Sequence, residues 1–260
     1  MKTVKVRNVE IGAGMPKICV PITGRTEEEI VQQAQMLRQS AADLAEWRAD
    51  WYENVFCPAE VEKMLKILRE KLGEMPLLFT FRTAKEGGEK DVEPDAYVEL
   101  NRNVIRTRLA DLVDVEVFGG KENVQDTGTA EEIIEAAHGC GVKVVASSHD
   151  FEKTPPEERI ISRLRRMQET GADIVKIAVM PQNRRDVLTL LSATQEMTEK
   201  YAKCPVITMA MGALGVISRL GGGVFGSAVT FGTAGRASAP GQTDAAELKR
   251  ALELIHGGAH

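Results

Sequence analysis

Long hydrophobic runs and an excess of basic charge are both lacking in this sequence of 260 residues. Lysine and arginine number 33 against 38 aspartates and glutamates, a formal net charge of −5. This balance argues against a nucleic-acid-binding protein, because such proteins gain affinity from basic contacts with phosphate. The longest uncharged stretches, residues 204–218 and 220–235, are shorter than the roughly 20 apolar residues that a membrane-spanning helix needs. We therefore expect neither a nucleic-acid partner nor a membrane span.

The cysteines and the amino terminus carry no signal for a metal site or for export. The cysteines are scattered, with no Cys-x-x-Cys pair and no zinc-type spacing to histidine; they are Cys19, Cys57, Cys140 and Cys204. Residues 1–16 carry isolated charges and no continuous apolar segment, unlike a secretory signal peptide. We expect reduced thiols in a mature, cytoplasmic protein that holds no metal.

Short aliphatic and β-branched runs alternate with longer segments of helical periodicity along the whole chain. The eight predicted strands are residues 17–22, 44–50, 77–82, 112–118, 143–149, 173–179, 206–211 and 227–231. Their starts are about 20 to 35 residues apart, which is the repeat of a βα unit, and no glycine-rich turn follows the first strand as it would in a dinucleotide-binding fold. The sequence therefore predicts a single α/β domain over residues 1–260, a (β/α)8 TIM barrel.

An extension precedes the first barrel strand. Residues 3–14 alternate apolar and polar side chains around Arg7 and Asn8, which predicts a β-hairpin. We expect this extension, residues 1–15, to cap the amino-terminal mouth of the barrel. Capping residues or prolines mark four predicted helix starts; they are Thr26, Pro58, Thr129 and Pro155.

Polar residues alternate with apolar ones on several predicted strands. Residues of one parity in a barrel strand face the interior, and the others face the helices. In residues 44–50, Glu46, Arg48 and Asp50 share one face, and the apolar opposite face suits packing under helices. The charged face must then point inward. The same rule directs further polar residues inward, namely Thr80, Arg82, Asp114, Glu116, Ser147, His149 and Lys176.

Lys176 lies in the middle of a strand, between apolar neighbours. An unpaired charge in a barrel interior costs several kcal/mol, and a buried lysine responds with a lowered pKa, which makes it a candidate amine nucleophile. The alternative is a structural ion pair between Lys176 and an interior carboxylate, Glu116 or Asp114.

His149 ends its strand at the carboxyl-terminal rim, where barrel enzymes place their chemistry. A neutral amine attacks a carbonyl to give an imine, and a histidine can take the proton that the imine acidifies. Inward arginines indicate an anionic substrate. The residues alone leave at least three enzymes open, namely a class I aldolase, a transaldolase-like enzyme and an imine-dependent dehydratase. A rival from another class is a barrel that only binds a cyclic acid.

Seven ordered segments resemble the type I 3-dehydroquinate dehydratase family. They are EWRAD at 46–50, FRTAKEGG at 81–88, DVEV at 114–117, SSHDF at 147–151, KIAVMP at 176–181, GVISR at 215–219 and SAPGQ at 238–242. The resemblance covers nearly the whole chain. It implies removal of water from 3-dehydroquinate to give 3-dehydroshikimate in the shikimate pathway, by a cytoplasmic homodimer that uses no metal or organic cofactor.

The resemblance also assigns roles to residues. Lys176 corresponds to the imine lysine, His149 to the proton-shuttling histidine and Glu86 to its acidic partner. The family's substrate-binding positions correspond to Glu46, Arg48 and Arg82 for the hydroxyls, Arg219 and Gln242 for the carboxylate, and Ser238 and Ala239 for a lid. Met209 and Met211, inward on their strand, are expected as apolar walls of the site. The remaining alternative is a class I aldolase acting on a related hydroxy-carbonyl substrate.

Overall fold

The computed structural model describes residues 3–118, 127–235 and 239–257. Its ten strands within these ranges are β1 Val4–Val6, β2 Val9–Ile11, β3 Lys17–Ile22, β4 Leu44–Arg48, β5 Leu77–Thr80, β6 Leu112–Glu116, β7 Lys143–Asp150, β8 Ile174–Val179, β9 Val206–Ala210 and β10 Val229–Phe231. The eight α-helices are α1 Glu27–Arg38, α2 Pro58–Leu72, α3 Pro94–Thr107, α4 Gly128–Gly139, α5 Glu157–Glu169, α6 Arg184–Glu196, α7 Val216–Gly221 and α8 Ala245–His256. None of the helices in these ranges has the length and hydrophobicity to cross a bilayer.

Strands β3 to β10 form one parallel sheet that curls into a barrel. The order is β10-β3-β4-β5-β6-β7-β8-β9, and the two ends of the sheet meet where Ala228 donates its N–H to the carbonyl of Val206 at 2.8 Å. Helices connect successive strands on the outside. The predicted (β/α)8 barrel is therefore confirmed.

The alternation of side chains explains how the barrel is filled. Outward residues such as Trp47 and Phe79 are fully buried in the layer between strands and helices. Inward residues at the lower ends of the strands form a separate apolar cluster. They include Leu44, Leu78, Leu112, Val145 and Ile174. The upper inward positions hold the polar side chains together with a few apolar ones such as Met209 and Phe231, so the strand pattern places charge at the carboxyl-terminal end.

The predicted amino-terminal hairpin is present and closes the lower end of the barrel. Strands β1 and β2 pair antiparallel with Val6 opposite Val9. Val6 and Ile11 are buried in the same cluster as the lower barrel residues. Burial of these apolar side chains and an ion pair between Arg7 in the hairpin turn and Asp111 just before β6, at 2.6 Å, hold the hairpin against the barrel.

Several predicted boundaries were wrong. Strand β6 ends at Glu116 instead of 118, and strand β10 begins at Val229 instead of 227. Strand β5 ends at Thr80 instead of 82, because the N–H groups of Arg82 and Thr83 donate to the side chains of Asp50 and Glu116 rather than to a neighbouring strand. Strand β4 ends at Arg48, and Asp50 lies in a 3₁₀ turn, Ala49–Trp51. Helix α4 begins at Gly128 and not after Thr129, with the preceding Thr127 hydroxyl hydrogen-bonded to Glu131 at 2.7 Å.

Candidate active site

One pocket at the carboxyl-terminal end of the barrel collects eleven of the predicted site residues. They are Glu46, Arg48, Arg82, Glu86, His149, Lys176, Met209, Met211, Arg219, Ala239 and Gln242. Ser238, the remaining predicted site residue, lies outside the described residues. The pocket also contains four residues that sequence reasoning missed as site residues, Gly87, Phe151, Ala178 and Phe231.

Lys176 lies on β8 inside the barrel and is only 4% exposed. Its Nζ is 3.3 Å from Asp114 Oδ2, 3.7 Å from Glu46 Oε1 and 4.6 Å from the centre of the Phe231 ring. The amine is therefore not an unpaired charge, and the ion pair considered as the alternative is present. Of the two carboxylates weighed as ion-pair partners, the structure places Asp114 against the amine, whereas Glu116 is engaged by Arg82 and Thr83.

Arg82 lines the pocket and is the centre of a buried charge network. Its guanidinium donates to Asp114 Oδ1 and Glu116 Oε1, each at 2.8 Å, and to Ser147 Oγ at 3.1 Å. Burial alone would lower the pKa of Arg82, but the Asp114 and Glu116 carboxylates raise it well above its ordinary value. Arg82 is therefore permanently charged and fixes the carboxylates around it.

His149 at the end of β7 is oriented by Glu86, which the 3₁₀ turn Ala84–Glu86 carries into the pocket. Glu86 Oε2 lies 3.0 Å from the backbone nitrogen of His149 and 2.9 Å from its Nδ1. The same oxygen accepts the backbone N–H and faces the ring Nδ1, and in the tautomer with the proton on Nδ1 the ring donates to it as well. The other ring nitrogen, Nε2, is then left as the basic atom.

The environment keeps the imidazole of His149 neutral. Burial and the positive charges of Arg82 and Lys176 lower the pKa of His149 well below its ordinary value. Burial and the Glu116 carboxylate raise the pKa of Glu86, against the opposing effect of Arg82. A histidine with a lowered pKa remains a proton acceptor at neutral and mildly acidic pH.

Arg48 is held in place by Asp50. The guanidinium donates to both carboxylate oxygens of Asp50, at 2.8 and 2.7 Å. Asp50 also accepts the backbone N–H groups of Arg82 and Glu89. Asp50, predicted on the inward charged face, therefore does not line the pocket but orients Arg48, which does.

Arg219 on α7 is a buried cation that lacks an anionic partner in the described part of the chain. Its Nη2 donates to the carbonyl of Pro240 at 3.1 Å, and its Nε has no hydrogen-bond partner there. Burial lowers the pKa of Arg219 to about 10. Arg219 lines the pocket, and a guanidinium without an anionic partner among the described residues suits a carboxylate ligand.

A glycine contact holds the segment at residues 239–242 over the pocket. The N–H of Gly212 donates to the carbonyl of Pro240 at 3.2 Å. Gly241 has a φ of +78°, and a Cβ there would lie 2.5 Å from the carbonyl oxygen of Gly212. Only glycine allows this approach, which places Ala239 and Gln242 at the pocket beside Arg219.

The family model described as type I 3-dehydroquinase matches residues 18–259. The chain belongs to this family. Relatives named 3-dehydroquinate dehydratase include those of Clostridium novyi, 51% identical over 98% of this chain and 99% of that protein, and Syntrophotalea carbinolica, 53% identical over the same shares. The resemblance of the seven segments is thus confirmed.

Solved structures of family members agree in fold. The crystal structure of type I 3-dehydroquinate dehydratase from Clostridium difficile, with covalent modified comenic acid, has a TM-score of 0.92 and 51% identity over 98% of both chains. That of the enzyme from Geobacillus kaustophilus has a TM-score of 0.94 and 36% identity over 100% of this chain and 98% of that one. Family membership favours the dehydratase among the possibilities that the residues left open.

Proposed function

We propose that this protein is a hydro-lyase of the shikimate pathway that converts 3-dehydroquinate to 3-dehydroshikimate through an imine on Lys176. The observation that carries the proposal is the placement of three groups in one pocket. A buried amine, a histidine oriented by a carboxylate, and a guanidinium without an anionic partner among the described residues all line it. They match the ketone, the acidic C–H bond and the carboxylate of 3-dehydroquinate.

The amine of Lys176 activates the substrate. Its nitrogen adds to the ketone carbon, and the ketone oxygen leaves as water. The resulting iminium withdraws electrons and acidifies the neighbouring C–H bond. The barrel interior supplies a dry, polar setting in which this charge interacts strongly with nearby groups.

His149 moves the proton. Its Nε2 takes the proton from the carbon next to the iminium, and the electron pair of that C–H bond passes towards nitrogen to form an enamine. The electrons then return to expel the hydroxyl on the next carbon, which leaves as water with the proton from His149. The Nδ1 hydrogen bond to Glu86 keeps the ring in the required tautomer.

The rest of the pocket binds the substrate. Arg219 and Gln242 hold the carboxylate, and Glu46, Arg48 and Arg82 meet the hydroxyl groups. Met209 and Met211 form apolar walls, and Ala239 belongs to the segment that covers the ring. The two-pronged guanidinium of Arg219 suits a planar carboxylate.

Trapping of the imine tests the proposal directly. Borohydride added during incubation with 3-dehydroquinate should reduce the iminium and fix the ligand to the Lys176 peptide, detectable by mass spectrometry. In a parallel assay, the conjugated enone of the product should give rising ultraviolet absorbance. Absence of both signals would refute the proposed function.

Arg219→Lys should raise the KM for 3-dehydroquinate roughly 30-fold, with a smaller change in kcat, because lysine keeps the charge but loses the paired donors. Steady-state kinetics provide the measurement. Arg250→Lys, on the outer surface of α8 and paired with Glu247, is the control and should leave KM unchanged. An unaltered KM in Arg219→Lys would assign the carboxylate to another group.

The enzyme acts as a homodimer within the cytoplasm, in our proposal. Four exposed aliphatic side chains lie on α7 and on the elements that contact it, as expected for an association surface. They are Leu188, Leu214, Ile217 and Val224. Free thiols, including the exposed Cys57, suit a reducing compartment. Cell fractionation should recover the enzyme with cytosolic markers.

Ile217→Glu should convert the dimer to a monomer, because a charge would be buried at the proposed contact. Sedimentation velocity measures the mass. Leu254→Glu alters an exposed leucine on α8 and should leave the dimer intact. If wild-type protein sediments as a monomer at micromolar concentration, the dimer proposal is wrong.

A further inference from the structure

Asp114 on β6 is a fully buried carboxylate with a fixed orientation. Its Oδ1 accepts hydrogen bonds from Arg82 Nη2 at 2.8 Å and from the Ser147 hydroxyl at 2.6 Å. Its Oδ2 faces Lys176 Nζ at 3.3 Å. Because two partners hold one oxygen, the other is held against the amine.

The surroundings keep Asp114 ionised. Burial raises the pKa of the Asp114 carboxyl group, but the charges of Arg82 and Lys176 together outweigh this effect, so the pKa is lowered overall. A weak base of this kind is unsuited to taking a proton from the amine. It is suited to facing a positive charge that stays in place through a reaction.

We propose that Asp114 is the counter-ion of the iminium formed on Lys176. The inference rests on the proposed function, since it requires that imine. The ammonium form of Lys176 and a ketone yield one iminium and one water: the C–N bond forms, the C–O bond breaks, and two of the three ammonium hydrogens leave with the oxygen. Nitrogen thus keeps one hydrogen and the positive charge, both available to Asp114 Oδ2.

The other carboxylates near Lys176 have different partners. Glu46 is farther from Nζ, at 3.7 Å, accepts a hydrogen bond from Thr80 and lines the pocket, where it meets substrate. Glu116 lies on the same strand as Asp114, but its oxygens are taken by Arg82 and by the backbone and hydroxyl of Thr83. Asp114 alone combines a fixed orientation with direct contact to the amine among these three.

A counter-ion at this position serves the elimination. The iminium withdraws electrons only while its nitrogen is protonated, and an adjacent carboxylate favours that charged form. The charged or titratable groups around the nitrogen come from several strands of the barrel. They are Glu46 on β4, Arg82 after β5, Asp114 on β6, His149 on β7 and Cys19 on β3.

Asp114→Asn tests the inference, with Glu116→Gln as the matched control. Both changes remove one negative charge from a buried carboxylate that binds Arg82, but only the first lies against Lys176. Cyanoborohydride, which reduces protonated imines, is applied with 3-dehydroquinate between pH 6 and 9. Adduct yield in Asp114→Asn should fall at a lower pH than in wild type and Glu116→Gln, and kcat should drop about 100-fold below that of the control.

Each outcome separates the two proposals. No adduct in wild type would overturn the imine itself. An adduct in wild type with equal pH profiles in Asp114→Asn and Glu116→Gln would overturn only the counter-ion. If Asp114→Asn does not fold, Ser147→Ala decides, because it removes one of the two hydrogen bonds that hold Asp114 Oδ1 without changing charge and should shift the profile in the same direction by less. An unshifted profile in Ser147→Ala would then reject the counter-ion.

Discussion

Lys176→Ala is expected to lower kcat by at least roughly 10⁴-fold and to abolish the borohydride adduct, while the protein still binds substrate. The amine is the nucleophile of the proposed reaction, and no other lysine lines the pocket within the described residues. Without the imine, the C–H bond next to the ketone is far less acidic than the one next to an iminium. His149 then cannot remove that proton at a useful rate. Enone absorbance and intact mass are the two readouts.

The matched control is Lys143→Ala. Lys143 begins β7 at the opposite end of the barrel and pairs with Asp173 at 2.9 Å. Activity and adduct mass should be unchanged in this variant. Measurable turnover with an adduct in Lys176→Ala would show that the imine forms elsewhere.

His149→Ala should slow turnover by about 100-fold or more but preserve the adduct. The substitution removes the proton acceptor and leaves Lys176 and its neighbours in place. Imine formation therefore continues while the proton transfer fails, so the borohydride-trapped mass persists as the absorbance signal falls. This split between trapping and turnover distinguishes a shuttle from a structural residue.

His138→Ala is the control for His149. His138 is also hydrogen-bonded to a carboxylate, Asp173 at 2.9 Å, but lies exposed on α4, away from the pocket. Its removal should change neither signal. Normal turnover in His149→Ala would contradict the shuttle role.

The interior of the barrel could be predicted from the sequence because one physical rule governs it. A strand exposes alternate residues to two environments, so the parity of Arg48, Lys176 and Met209 determines which side they face. The parity rule no longer applies beyond the end of a strand. Asp50 shares that parity, but it lies on a 3₁₀ turn and binds Arg48 instead of lining the pocket.

Loop residues and charge partners could not be derived in this way. Glu86 sits in a turn with no periodicity, and only the family resemblance pointed to its role beside His149. The choice between Asp114 and Glu116 as the partner of Lys176 depends on where Arg82 reaches across the barrel, which strand parity does not specify. Phe151 lies two residues after His149 at the rim, and this closeness in sequence was the signal that could have placed it in the pocket.

Among the described residues, the hairpin covers the lower end of the barrel, and the pocket that holds Lys176 lies at the opposite end. Because Val6 and Ile11 pack among the strand starts, substrate and product reach and leave Lys176 over the carboxyl-terminal rim. Each catalytic cycle releases one water when the iminium forms and another in the elimination, and it consumes one when product is freed. These three water molecules enter or leave over the same rim as the substrate and the product. The product must therefore leave the pocket before the next substrate ketone can reach the amine.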